Sequence, residues 1–426
     1  MKTRKSAGVL AMALAFSALL VLPQSTLAQE RWVPTWAASP QPLPAPFPQA
    51  AGAPPPPPRI DRSFNNQTVR MVVRTSFSGR RVRVQLSNAY GTSALRIGAA
   101  HIALHGKESE IVPGSDRALT FSGKSVATIP SGALLVSDPV DLNVPRLGDV
   151  VVSIYVPDET GLPTLHNGAL HTTYIPKPGD FTGQPSLPDA ATTRSWYWLA
   201  SVDVLAQPNT GLIVAFGDSI TDGATSTPDT NSSYPAVLAE RIAKSMPAAN
   251  IAVVNQGIAG NRLLHDLVGT NALARFDRDV LSQSGVKWLI FLEGINDIGR
   301  SNATEGTITA EDVIAADRQI IERAHMHGIK VMGATLTPYE GAAYYSDAGE
   351  TIREAVNAWI RTGGAFDGVV DFEAAVRDPN HPKQIRPEFN ITDHLHPNDA
   401  GYKAMAEAID LSFFAAKEPL SAAKKQ

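Results

Sequence analysis

The chain reads as two unlike halves: an all-β domain of sandwich or jelly-roll type, followed by an α/β domain built on a parallel sheet. Three observations predict this. From about residue 64 to 205 hydrophobicity alternates with period two, as half-buried strands require. After Gln207-Pro-Asn-Thr210 the pattern changes to strands alternating with helical stretches, which calls for parallel strands with helices on both faces. The apolar run Gly211-Leu-Ile-Val-Ala-Phe-Gly217 then stops at Asp218-Ser219, a buried strand ending in a tight turn that carries a hydroxyl.

Composition bounds the rest. The 426 residues allow two or three domains, and 43% hydrophobic with 18% charged residues describes a globular chain. The net charge of -4 gives no support to nucleic-acid binding. With no cysteine, the chain has no disulfides, no thiolate chemistry, no cysteine-based zinc site and no lipid-modified cysteine anchor.

The order of elements begins with a targeting segment over 1–28. Lys2, Arg4 and Lys5 precede an apolar run from Ala7 to Leu22, and Thr26-Leu-Ala28 resembles a small-x-small cleavage site. The run is short for a span of ~20 residues, so an uncleaved anchor is the weaker alternative. Cleavage brings the charge near -7 and yields an exported protein, periplasmic or secreted, with no stable membrane insertion. Residues 29–63 form a proline-rich segment expected to be irregular, with prolines spaced from Pro40 to Pro48 and continuous from Pro54 to Pro58. Trp32 and Trp36 are read as anchors of this segment to a neighbouring domain.

The β domain spans 64–207. Arg81-Val-Arg-Val-Gln-Leu86 alternates cleanly, and further strands are expected at 67–75, 95–104, 117–122, 132–136, 149–156, 170–174 and 195–204. Turn sequences separate them, among them Asn88-Ala-Tyr-Gly91 and Pro113-Gly-Ser-Asp116. Arginines 70, 74, 80, 81 and 83 are read as solvated strand faces and edge protection. Trp196 and Trp198 are placed on one face of their strand, with Tyr197 on the other, as core. In the α/β domain, 208–416, strands are expected at 211–216, 251–256, 286–292, 328–334 and 367–371. Helices are expected near 233–246, 309–327, 350–361 and 398–416, with Thr309-Ala-Glu-Asp312 as a capping box and 417–426 as a tail.

Three strand ends carry unusual residues. Gly217-Asp218-Ser219 ends the first. Gly257-Ile-Ala-Gly260-Asn261 follows the second, and Glu293-Gly294-Ile-Asn296-Asp297 follows the third. Asp393-His-Leu-His396-Pro397 precedes the last helix. In a parallel sheet the strand ends share one rim, where open α/β sheets place their chemistry. A serine hydroxyl is a weak nucleophile until a base takes its proton. A histidine does that and then protonates the leaving group, and a carboxylate fixes its tautomer. Asp393 and His396 stand three residues apart, within one turn. Backbone N–H groups at Ser219 and Gly260, with the Asn296 amide, supply candidate donors to an oxyanion.

These blocks resemble, in order, those of the SGNH or GDSL-type hydrolases: Gly217-Asp218-Ser219-Ile220, Ile258-Ala-Gly260-Asn261, Gly294-Ile-Asn296-Asp297 and Asp393-His-Leu-His396-Pro397. Isoleucine at 220 replaces the leucine of the family name. The resemblance covers about 211–416. It implies a flavodoxin-like domain with a five-stranded parallel sheet. It also implies Ser219 as nucleophile, His396 as base, Asp393 as its partner, and Ser219, Gly260 and Asn296 as the oxyanion hole. A β domain ahead of such a domain resembles the layout of some carbohydrate acetyl esterases. Gly-x-Ser-x-Gly, the elbow of the other α/β hydrolases, is broken by Thr221.

Other residues are given quieter roles. Asp218, Asp222 and Asp297 are expected to hold loops by hydrogen bonds, and His325-Met-His327 to end a surface helix. His394 lies one residue out of place for catalysis, and Arg262 and Tyr234 are candidates to touch substrate. The expectation is therefore an exported serine esterase without cofactor or metal, working through an acyl-enzyme on a small-molecule or polysaccharide ester. O-acetyl or short-acyl carbohydrate esters are favoured. Lysophospholipid or lipid esters, acyl transfer, and a non-catalytic glycan-binding protein are the alternatives.

Overall fold

The computed structural model describes residues 31–43, 63–301 and 306–415; the expected signal segment, the run Pro54–Pro58 and the tail from 417 lie outside the described residues. Between 67 and 206 the chain forms antiparallel strands with no helix, in two main sheets of four and six strands, the smaller gaining a fifth from residues 31–37. Asp149–Val156 is central to the larger sheet, pairing with Gln67–Arg74 on one side and Ala99–Leu104 on the other. Val69, Met71, Val152 and Ile154 of this sheet share one buried cluster with Val82, Val84, Val202 and Val204 of the other. Two sheets closing on one core make a β sandwich.

Three expectations are corrected here. Residues 31–37, expected as irregular, form an edge strand, Arg31–Ala37, antiparallel to Leu199–Ala206. Its register slips between Pro34 and Trp36; an edge position and a bulge are where a sheet tolerates proline. Arg70 is fully buried rather than solvated. Its guanidinium donates to Ser153 Oγ and to the carbonyls of Ser109, Thr182 and Gln184, and burial lowers its pKa to about 10. Trp198 has a φ of +56°, which breaks the strand. Tyr197 and Trp198 therefore both pack on Phe64, whereas Trp196 packs edge-on against Trp36.

The turn Gln207–Thr210 leads into the second sheet. Its five strands are all parallel, in the spatial order Ile251–Gly257, Gly211–Gly217, Val286–Leu292, Lys330–Ala334, Gly368–Val370. This is the flavodoxin-like order, and it reverses between the strands leading to Ser219 and to Asn296. All seven residues of Gly211–Gly217 are buried, as a strand covered on both faces must be. Tyr234–Ser245 packs with Asp399–Ala408, and Ala310–Met326 with Asp347–Thr362. Thr309 and Asp312 form the expected capping box. Among the described residues no helix is long and apolar enough to cross a membrane.

The edge strand Arg31–Ala37 joins the two halves. Val33 and Ala37 belong to the α/β core, whereas Trp36 and Ala38 belong to the sandwich core.

Candidate active site

The serine turn is set by packing. A Cβ on Gly217 would collide with Thr221 Oγ1 and the carbonyl of Leu292, so only glycine lets the strand close on the next turn. The Asp218 carboxylate accepts from the N–H of Ile220 at 2.9 Å and caps the single helical turn Ser219–Asp222. Gly223, with φ +101°, closes it by donating to the carbonyl of Ser219.

Ser219 Oγ lies 2.8 Å from His396 Nε2, and His396 Nδ1 lies 2.6 Å from Asp393 Oδ2. A carboxylate only accepts, so Nδ1 carries the proton and Nε2 is left to accept from the serine hydroxyl. The other Asp393 oxygen accepts from the N–H groups of Leu395 and His396, both at 3.0 Å. Burial pushes the Asp393 carboxyl up, but these donors outweigh it and hold it down to about 2. Asp393 is therefore ionised wherever the imidazole needs a fixed orientation.

The expected oxyanion donors sit on adjoining loops. The loop after Ile251–Gly257 is fastened to the serine strand by Ile258 N–H donating to Gly217 O at 3.0 Å. Gly260 in that loop has φ +78°. Neither Ser219 N–H nor Gly260 N–H finds an acceptor among the described residues. Asn296 lies in the first turn of the short helix Ile295–Gly299, which Gly294 precedes. Its amide donates one N–H to Asn261 O at 2.9 Å, and its Oδ1 accepts from the Tyr344 hydroxyl at 3.2 Å. The second amide N–H is thereby turned to a fixed direction.

The three aspartates hold loops, as expected. Asp297 accepts from the N–H of Leu263 at 2.6 Å and of Leu264 at 2.9 Å, and Asp222 accepts from the N–H of Ala259 at 3.1 Å. Asp218 is pushed up to about 7, by burial first. Glu293, also buried, is pushed well above the usual carboxylate range by burial and then by Asp218.

Other expectations fall differently. Tyr234 is wholly buried, its hydroxyl 3.1 Å from Thr221 Oγ1, so it does not touch substrate: it packs behind the serine turn. Arg262 is 3% exposed and likewise belongs to the interior. His394, with φ +56°, points to Asn390 and Gly341 rather than to Ser219. His325 pairs with Asp367 at the end of its helix. Among the described residues no cluster of His, Cys, Asp or Glu is suited to hold a metal ion.

Two supports escape a reading of the sequence. Arg275, fully buried, donates to the carbonyls of Gly217 and Gln256 and to Asn261 Oδ1 at 2.8–2.9 Å, tying two of the loops together. Tyr344 reaches Asn296 from a loop 48 residues away. Neither sits in a motif, so only the folded geometry reveals them. A cavity of about 100 Å³ between the sandwich and the α/β domain is lined by Trp36, Arg74, His166, His171, Trp196 and Asp222, not by Ser219.

The family model described as GDSL-like Lipase/Acylhydrolase matches residues 213–409. No curated protein matches the chain. Among solved structures, a lipolytic protein of the G-D-S-L family from Desulfitobacterium hafniense is 24% identical, covering 47% of this chain and 97% of that one with a TM-score of 0.36. A GDSL-like lipase from Bacteroides thetaiotaomicron is 19% identical over 46% and 84%, TM-score 0.35. A variant of an acetyl xylan esterase from Geobacillus stearothermophilus is 24% identical over 47% and 94%, TM-score 0.37.

Proposed function

We propose that this serine ester hydrolase, whose GDSL-like lipase/acylhydrolase domain is residues 213–409, is exported and removes O-acetyl or other short acyl groups from carbohydrates. The observation that carries the catalytic assignment is the unbroken hydrogen-bond chain Asp393–His396–Ser219. His396 Nε2 takes the hydroxyl proton as Ser219 Oγ attacks the ester carbonyl. The carbonyl oxygen becomes an oxyanion, received by Ser219 N–H, Gly260 N–H and the free Asn296 N–H. The C–O bond to the sugar then breaks, and the imidazolium returns the proton to the departing alkoxide. Water, deprotonated by His396, attacks the acyl-enzyme in the same way and releases the acid.

Export and a polymeric substrate are supported by the signal-like sequence of 1–28 and by the added sandwich. The test is hydrolysis of p-nitrophenyl esters from acetate to palmitate, with Ser219→Ala as control, followed by acetylated polysaccharides. Acetate release that vanishes in the variant is the expected result. Preference for long chains would replace carbohydrate esters by lipid esters.

A further inference from the structure

His166 belongs to the sandwich, on the short strand Leu165–Asn167 paired with Ser195–Tyr197. Its ring nevertheless enters the α/β domain. The ring is 3% exposed, with Nδ1 3.1 Å from the carbonyl oxygen of Ser39 and Nε2 3.1 Å from Asp222 Oδ1. A carbonyl and a carboxylate both only accept, so both ring nitrogens carry protons and the buried ring is an imidazolium. Burial pushes the His166 pKa down, but Asp222 and the Ser39 carbonyl outweigh it and the net shift is upward. The other charge near the ring is Arg275, which opposes the proton; His171 packs against the same Trp196, and Arg74 lines the same cavity.

Asp222 is the last residue of the turn that begins with Ser219, and its second oxygen accepts from the N–H of Ala259, next to Gly260. Asn255 reinforces the same joint, donating to the carbonyls of Thr221 and Asp222 and accepting from the N–H of Gly257. A Cβ on Gly257 would collide with the backbone N of Asp222, so loop and turn are in direct contact. Without His166, Asp222 becomes a buried carboxylate short of one partner, free to turn away from Ala259.

We propose that His166 of the sandwich is a positioning residue for the oxyanion hole: it fixes Asp222, and Asp222 fixes the Ala259–Gly260 peptide against the serine turn. The proposal rests on the reading of Gly260 as an oxyanion donor. It gives the sandwich a role in the chemical step that substrate binding alone would not.

The test uses the full chain with four substitutions: Ser219→Ala, Asn296→Ala, His166→Leu and Asp222→Asn. In His166→Leu, kcat on p-nitrophenyl acetate is expected to fall at least about tenfold, part of the cost of a lost oxyanion donor. KM is expected to stay within about threefold. Affinity for phenylboronic acid, which forms a tetrahedral adduct on the serine, should fall with kcat. Asp222→Asn should behave alike, because an amide presents an acceptor to only one of the two donors, Ala259 N–H and His166 Nε2–H. The double variant should be no worse than the poorer single one, since both act through one joint. A folded His166→Leu protein with kcat and boronate affinity within about threefold of wild type overturns the proposal. Should that variant not fold, Asp222→Asn decides by the same measure. Turnover surviving in Ser219→Ala overturns the proposed function, and this inference with it. Turnover lost in Ser219→Ala and Asn296→Ala but kept in His166→Leu overturns this inference alone.

Discussion

Asn296 presents its amide because two neighbours hold it, Asn261 O on the nitrogen and the Tyr344 hydroxyl on the oxygen. Replacing Asn296 by Ala is expected to lower kcat by roughly 10²–10³; a loss under about threefold would remove it from the oxyanion hole. Tyr344→Phe deletes one orienting bond of net worth ~1 kcal/mol, so kcat should fall about fivefold with KM unchanged in steady-state kinetics. Asp218 supports a prediction in pH. An unfolded aspartate titrates near ~3.9, whereas burial raises Asp218 to about 7 against the pull of Ile220 N–H and His396. The fold therefore holds a proton that the unfolded chain has released. That stabilisation is complete below the unfolded value and is lost as pH rises through about 7. Asp218→Asn does not titrate, so the Tm of wild type minus that of the variant should shrink from pH 4 to pH 8. A difference that stays constant would show that Asp218 is ionised throughout. The proposed reacting residues were legible because each sits in a short block, at the end of an apolar run for Ser219, Gly260 and Asn296 and just before a helix for Asp393 and His396. Arg275, Tyr344 and His166 were not, because their partners lie far along the chain and no local pattern marks a long-range hydrogen bond.

Elements were legible where their period is strong. Asp149–Val156 and Val286–Leu292 have the expected limits, each being rich in Val, Ile, Leu or Phe and bounded by turn residues. The helix Ala310–Met326 starts where its capping box places it. Thr309→Ala removes that cap and should cost ~1 kcal/mol, read in denaturant unfolding, with kcat unchanged. A kcat change larger than the stability loss explains would tie this helix to the site. Short strands were less legible. Ala127–Ile129 and Leu165–Asn167 have three residues each, too few to show a period, and exist because a neighbouring strand pairs with them. Arg31–Ala37 was hidden for another reason. Pro34 and the prolines after it argue against a strand locally, while its partner Leu199–Ala206 lies far along the chain.

At the scale of the whole molecule, the sandwich and the α/β domain do not behave as a module and its attachment. Ile251–Gly257 is an edge strand of the parallel sheet and carries the Gly260 loop at its end. Arg31–Ala37 packs against it, with Val33 and Ala37 completing the α/β core. Polar contacts cross the same boundary. Ser76 Oγ accepts from the N–H of Val253 at 3.0 Å, and Ser39 Oγ donates to Gln256 Oε1 at 2.6 Å and accepts from Arg275 at 3.0 Å. Cutting the chain at the Gln207–Thr210 turn would expose Val253 and Ile251, strip Arg275 and Gln256 of a partner, and leave Asp222 without His166. Each loss is of the kind that destabilises by more than a surface change does: uncovered apolar area and buried polar groups left unpaired. Residues 208–416 expressed alone are therefore expected to be insoluble, or to bind a hydrophobic dye and hydrolyse p-nitrophenyl acetate at least about tenfold more slowly than the full chain. Adding back residues 29–207 as a separate chain should restore part of that activity, because the lost contacts lie on one continuous face. A fragment that unfolds cooperatively and turns over at the rate of the full chain would mean that the α/β domain orders its own oxyanion loop, and that the sandwich serves only to find substrate.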